Sequence, residues 1–217
     1  MSSKDKCTFE VIRRDGASFY SIPKTYLIVN EDTYLLSKQV GKYLLDNKSE
    51  LEELSLSQLL KRVDEISISF AYAKLLKYLR SRDYTSFQLR SKLETLGYSE
   101  EVVDKVLAQA SDEGFVDDAK FCEKFIDLKK DSGWGPYKIE MSLNQKGINT
   151  QDIDGWPDKC FEEKSELNRA IQILSRKSTP ARNANTRLLR FLLNRGFDSR
   201  IAKKAVKTHL KNNESKH

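Results

Sequence analysis

Histidine is almost missing from this 217-residue sequence. The two that occur, His209 and His217, lie near the C-terminus without paired cysteines, so the usual ligand set of a zinc site is not assembled. Cysteine is scarce as well. Cys7, Cys122 and Cys160 are odd in number and far apart, which speaks against a disulfide framework and for a cytoplasmic chain with incidental thiols. No run of 18 apolar residues is present, so no segment reads as a membrane span. The opening Met-Ser-Ser-Lys-Asp-Lys lacks the apolar stretch of a secretory signal. Neither G-x-G-x-x-G nor G-x4-G-K-[ST] occurs, so no glycine loop is spaced to cradle phosphates and no cofactor is expected. Nucleophile–base pairs and carboxylate pairs at catalytic spacing are equally lacking, and an enzyme is not expected.

What remains is a helical pattern. Apolar residues make up 39% and charged residues 32%, which allows only a thin core for this length and favours an elongated array over a compact ball. The chain is organised around residues 69–114. Ala71, Tyr72, Leu75, Leu76 and Leu79 share one face at helical spacing. Thr85 and Gln88 fit a capping box that opens a second helix with Leu89, Leu93 and Leu96 inward. Gly97 fits the position after a helix where φ is positive, and Ser99 caps a third helix carrying Val102, Val103, Val106, Leu107 and Ala110, ended by Gly114. Three helices with one apolar face each must pack together or on neighbours.

The unit recurs at about 50 residues, the spacing of a tandem array. Leu-x3-Gly junctions end at Gly97, Gly147 and Gly196. In the second copy Phe121, Phe125 and Leu128 are expected to line the first helix, Ile139 and Leu143 the second, and Ile153 and Trp156 a short third element closed by Gly155-Trp156-Pro157. Asp117 or Asp118 serves as a cap rather than a metal ligand. In Gly133-Trp-Gly-Pro136, Trp134 is either a core plug or an exposed anchor. The third copy has Leu167, Ala170, Ile171 and Leu174, then Leu188, Leu189 and Leu192, then Ile201, Ala202, Ala205 and Leu210.

Before the repeats, Thr8–Arg13, Phe19–Ile22 and Tyr26–Val29 have strand composition, with a turn at Asp15-Gly16 and Pro23 at a turn or edge. They predict a small hairpin or three-strand flap, either a packed cap or a binding edge. Asp32 or Thr33 is expected to cap a helix carrying Tyr34, Leu35 and Val40, followed by a polar gap from Asp46 to Glu50. Ser55 and Gln58 open another helix that meets no breaker before the first repeat. The expected architecture is mainly α: an N-terminal flap with helices over 1–66, and three-helix repeats over 67–114, 115–160 and 161–217. An open array with a hydrophilic exterior predicts a monomer.

The net charge of +6 is unevenly spread. By segment it runs −1, 0, −2 and +9, so the basicity belongs to residues 161–217, the footprint of a polyanion partner. Arg200, Lys203, Lys204, Lys207 and Lys211 follow one helical face opposite Ile201, Ala205 and His209. Like charges at i,i+4 cost roughly 0.2–0.5 kcal/mol per pair, a strain that phosphates or carboxylates of a partner relieve. Arg187 and Arg190 on the preceding helix, with Arg182 and Arg195 near its ends, extend the candidate surface. Lys74 and Lys77, continued by Arg80 and Arg82, form a second outward face, either solvated or in contact. Readout groups are sparse beside these cations, so any DNA binding should tolerate sequence.

The run Ala71-Tyr-Ala-Lys-Leu-Leu-Lys-Tyr-Leu79, then Thr85-x2-Gln-Leu-x3-Leu-x3-Gly97, resembles the first repeat of the bacterial RecX family. Gly114-Phe-Val-Asp-Asp-Ala-Lys-Phe121, Gly133-Trp-Gly135 and Ile139-x3-Leu143-x2-Lys146-Gly147-Ile148 resemble that family's most recognisable block, and Arg195-Gly-Phe197-x3-Ile201 its third repeat. The likeness covers roughly residues 60–210. Thr85 and Gln88 stand where the family usually has Ser and Glu, and Gly155-Trp156-Pro157 is unusual. The resemblance implies a curved array of three-helix repeats. It also implies a regulator that binds along the groove of the filament formed by the recombinase RecA on single-stranded DNA, bridges neighbouring RecA protomers, and suppresses strand exchange, ATP hydrolysis and co-protease activity. Direct binding to DNA is implied as well.

Overall fold

The computed structural model describes residues 7–14, 24–177 and 183–214. Asp15-Gly16, Phe19–Ile22, Pro23 and Arg182 lie outside them. The chain divides into two compact units, Met1–Asp117 and Asp118–His217.

The first unit opens with an antiparallel meander, β1 (Phe9–Arg14), β2 (Lys24–Val29) and β3 (Asp32–Leu36), in the order β1-β2-β3. Along β2, Thr25, Leu27 and Val29 face inward, alternating with more exposed neighbours as a one-sided sheet requires. β3 corrects the expected helix at Asp32. Asn30 and Glu31 both take positive φ, +47° and +73°, the geometry of a tight hairpin turn, and this folds Asp32–Leu36 back onto β2 with Val29 opposite Asp32 and Thr25 opposite Leu36. Tyr34 and Leu35 are therefore strand residues. The helix starts later, at Ser37, whose Oγ accepts the Val40 N–H at 3.2 Å.

Helix α1 (Lys38–Asp46) and the short α2 (Lys48–Leu51) follow, separated by Asn47 alone, so the polar segment expected from Asp46 to Glu50 is largely helical. Gly41 lies inside α1, and a Cβ there would stand 2.5 Å from Thr25 Cγ2, so its bareness lets the helix settle on the sheet. Helix α3 (Leu56–Leu79) runs unbroken for 24 residues. The Gln58 side chain accepts the Ser55 N–H at 3.0 Å at its start.

Helices α4 (Ser86–Thr95) and α5 (Glu100–Asp112) complete the first three-helix domain. Thr85 and Gln88 form the reciprocal cap, at 3.3 and 3.4 Å. One continuous core joins sheet and helices through Leu27, Leu44, Leu59, Leu75, Leu89, Leu93 and Val106.

The second unit contains α6 (Asp118–Asp131), α7 (Pro136–Asn144), a 3-10 turn (Thr150–Asp152), α8 (Glu163–Ser175), α9 (Ala184–Asn194) and α10 (Ser199–Glu214). Its first core holds Cys122, Ile126, Ile139, Leu143 and Phe161. The inward face of α6 is thus rotated by about one residue from the expected Phe121, Phe125 and Leu128. The smaller Cys122 and Ile126 fill the approach to α7. Phe121 and Phe125 stack at the rim, ring centroids 5.9 Å apart, and Leu128 is 60% exposed. The third helix expected around Ile153 and Trp156 is only the 3-10 turn, with both side chains packed on this core. The second core joins α8, α9 and α10 through Ala170, Leu174, Leu188, Leu192, Phe197, Ala202, Ala205 and Val206.

Two backbone segments lock these cores together. Gly135 N–H donates to the Arg195 carbonyl at 2.7 Å, and Tyr137 N–H to the Gly196 carbonyl at 3.1 Å. The repeated junction glycines Gly97, Gly147 and Gly196 have φ of +89°, +80° and +86°, so one helix-ending geometry recurs at matched positions.

Candidate functional site

Helix α10 sorts its side chains by face. Ala202, Ala205, Val206 and His209 are buried, while Arg200, Lys203, Lys204, Lys207 and Lys211 are exposed. This is the arrangement the spacing predicted. The Arg200 side chain is 93% exposed, with Nε 3.4 Å from Asp198 Oδ1. Lys204 Nζ stands 3.8 Å from Glu163 Oε1. Exposed, long contacts such as these two each contribute little, since surface pairs typically contribute under about 1 kcal/mol. Arg187 and Arg190 are exposed on α9, whose Leu188 and Leu192 turn inward.

Asp198 anchors the start of this helix. Its Oδ1 accepts from the Arg200 N–H at 2.8 Å and the Ile201 N–H at 3.4 Å, and its Oδ2 accepts the Tyr137 hydroxyl at 3.2 Å. Against an opposing effect of burial, those donors hold its carboxyl below the usual aspartate range. The same bond pushes the Tyr137 phenol up.

Arg195 has a different position. Its Nη1 donates to the carbonyls of Ser132 and Gly133 at 3.0 and 3.2 Å, and its guanidinium lies 4.8 Å from the Phe191 ring. It is half-buried in the joint between α7 and α9.

Arg169, which sequence reasoning missed, completes that joint. It pairs with Glu166, 1% exposed, through Nε and Nη2, each at 2.8 Å. Its remaining donors satisfy the carbonyls of Lys130 at 2.8 Å and Trp134 at 2.7 Å. The i,i+3 spacing of Glu166 and Arg169 was the available signal, but nothing in the sequence distinguishes it from an exposed pair.

Trp134 is half-buried, between the two expectations for it. Lys129 Nζ and Lys138 Nζ lie 4.9 and 4.5 Å from its ring.

In the first unit, Lys77, Arg80 and Arg82 are exposed and Lys74 is half-buried. Lys74 Nζ lies 5.5 Å from the Tyr78 ring, and the Arg82 guanidinium 4.4 Å from the Tyr84 ring. Lys92, absent from the expected set, brings its Nζ to 4.9 Å from Tyr78 and 5.3 Å from Tyr84. A hydrogen bond to Arg82 lowers the Tyr84 phenol despite the opposing effect of burial. The structure thus gathers cations and aromatic faces, a combination suited to stacked or anionic groups. The candidate cations fall into two sets: Lys74, Lys77, Arg80 and Arg82 in the first unit, and those of α9 and α10 in the second.

Among the described residues, no group of three or more His, Cys, Asp or Glu is placed to hold a metal, and no helix is long and apolar enough to cross a membrane.

Comparison with known proteins accords with this architecture. The family model for "RecX, first three-helix domain" matches residues 71–109, and that for "RecX, second three-helix domain" matches residues 117–155. The regulatory protein RecX of Legionella pneumophila is 30% identical over 142 residues, covering 63% of this chain and 93% of the relative. That of Mannheimia succiniciproducens is 27% identical over 137 residues, covering 60% and 87%. A crystal structure of RecX from Lactobacillus salivarius superposes with a TM-score of 0.56 at 21% identity, over 65% of this chain and 96% of that one. A second RecX crystal structure gives 0.54 at 17%, over 89% and 97%. These two likenesses concern the fold alone.

The class is therefore a protein of tandem three-helix domains with a small N-terminal sheet and a basic face on its last two helices. Within that class, the chain belongs to the RecX family of regulatory proteins.

Proposed function

We propose that this protein binds in the groove of the RecA–single-strand-DNA filament and modulates it, chiefly by restraining recombinase, ATPase and co-protease activities. The observation that carries the reading is the exposed cationic row of α10, in a chain of the RecX family. A nucleoprotein filament offers DNA phosphates and protein carboxylates together, and both relieve the repulsion along that row. Arg187 and Arg190 extend the contact, and Arg82 with Lys92 supplies a second one from the first unit. In this reading the protein acts in the cytoplasm as a monomer, without catalysis of its own. The division into residues 1–66, 67–114, 115–160 and 161–217 belongs to the same proposal. Titration into RecA's DNA-dependent ATPase tests it: hydrolysis should slow at or below equal ratios, and no slowing at any ratio would refute it.

A second reading is direct, sequence-tolerant binding to bare single- or double-stranded DNA through α10. It is favoured by the exposed Arg200, Lys203 and Lys207, a cationic row without the Asn or Gln amides that read adenine. It requires affinity for naked DNA that falls steeply with salt. A gel shift insensitive to salt would count against it.

A further inference from the structure

A groove of about 410 Å³ lies in the second unit, walled by Pro136, Tyr137, Pro157, Phe161 and Ile201. Its other lining groups are Glu140, Asp158, Glu162, Glu163, Glu166 and Asp198, with Arg200 as the one cation among the described residues. Residues 161–217 contain fourteen basic and five acidic side chains, and four of those five acids line this groove.

Part of that lining has internal duties. Glu140 accepts the Thr150 hydroxyl at 3.1 Å, Glu166 holds Arg169, and Asp198 caps α10. Asp158, Glu162 and Glu163 are exposed at the rim, and among the described residues the ion pair they make is the 3.8 Å approach of Lys204 to Glu163. Beside them, Tyr137 and Met141 are 56% and 62% exposed, one turn apart on α7. Their exposure leaves an aromatic ring and a thioether open to contact next to the acidic rim.

We propose that this groove docks an arginine-bearing segment of a protein partner. The guanidinium enters between Asp158, Glu162 and Glu163, and its stem lies on Pro157, Phe161 and the Tyr137 ring. Charge complementarity selects this occupant. Nucleic acid or an acidic peptide would meet like charge, whereas a guanidinium binds carboxylates in two-point fashion and stacks on aromatic faces. The groove borders the cationic row of α10 at Arg200 and Lys204, but its acidic rim is a separate surface, and the proposal does not depend on the filament reading.

The sequence supplies a reporter. Only two methionines occur, Met1 and Met141, so labelled methionine methyls give one signal beside the groove, assigned by Met141→Leu. The full chain is titrated with blocked peptides alternating leucine with arginine, lysine or glutamate. The Met141 signal should move saturably with the arginine peptide, about threefold less tightly with lysine, and not with glutamate. Asp158→Asn with Glu163→Gln should weaken arginine-peptide binding about tenfold. Lys203→Glu with Lys207→Glu should leave peptide binding intact while weakening filament binding, which separates this site from the other. Equal responses to arginine and glutamate peptides, no response to arginine, or unchanged affinity in the Asp158/Glu163 variant would overturn the proposal. So would a Met141 shift driven by protein concentration alone, which would assign the groove to a second copy.

Discussion

Gly135→Ala is the sharpest probe of the joint in the second unit. At φ −87° and ψ 170° the backbone suits any residue, so alanine in open space would stabilise the fold by about 0.4–1 kcal/mol through the unfolded chain. Space is what it lacks. The added Cβ would lie 2.3 Å from the carbonyl carbon and oxygen of Gly196 and 2.4 Å from the Phe197 nitrogen, all backbone. Relief requires the α7 entry and the α9–α10 turn to separate. Separation breaks the 2.7 Å bond from Gly135 to Arg195 and the 3.1 Å bond from Tyr137 to Gly196, and it loosens Arg195 from Ser132 and Gly133. Two backbone bonds at about 1 kcal/mol each, with overpacking of about 1–3 kcal/mol, predict a net loss near 3 kcal/mol. Both tryptophans, Trp134 and Trp156, lie in the second unit, so denaturant unfolding followed by their fluorescence reads this loss directly. Gly114→Ala is the control. Nothing stands within 4 Å of its Cβ, and its φ of +74° alone should cost about 1 kcal/mol, seen by circular dichroism. A Gly135→Ala protein as stable as the original, or stabler, would refute the close-contact argument.

Other outcomes follow from single groups. Arg169→Met strands the Glu166 carboxylate without its partner and should destabilise the second unit by about 3–5 kcal/mol, measured in the same fluorescence assay. Burial pushes the Cys122 thiol up to about 11 from 9.0 and favours its neutral form. Its contribution to stability is therefore full below pH 9.0 and lost as pH rises through about 11; Cys122→Ser should flatten that part of the unfolding profile. Below pH 9.0 the half-buried Cys160 should react with a thiol reagent well before Cys122. The bond from Tyr72 to Glu113 pushes the phenol up to about 12, so ultraviolet titration should include a late tyrosine component near that pH, and Glu113→Gln should return it toward 10.0.

The sequence was most legible where chemistry is local. Thr85 with Gln88, Ser99 and the glycines at 97, 114, 147 and 196 each satisfy a need of their own helix end, and all take the geometry expected of them. The charge sorting on α10 was equally readable, because cations every three or four residues leave no alternative face. β3 was not readable. Its turn, Asn30-Glu31, lacks the glycine that usually marks such a hairpin, and Asp32-Thr33 imitates a helix cap. The rotation of α6 was hidden for a related reason. Phenylalanine outranks cysteine on hydrophobicity, but the close approach to α7 selects for size. The Arg169 joint, the Lys92 contacts and the acidic groove depend on residues distant in sequence, and no periodicity carries that information.

The cationic row of α10 is the surface that the filament would meet. RecA's DNA-dependent ATPase should be measured with the original protein and with Lys203, Lys204 and Lys207 all changed to glutamate, at matched ratios and salt. The original should slow hydrolysis, and the variant, folded by circular dichroism, should lose most of that effect. Equal inhibition by both proteins would contradict it.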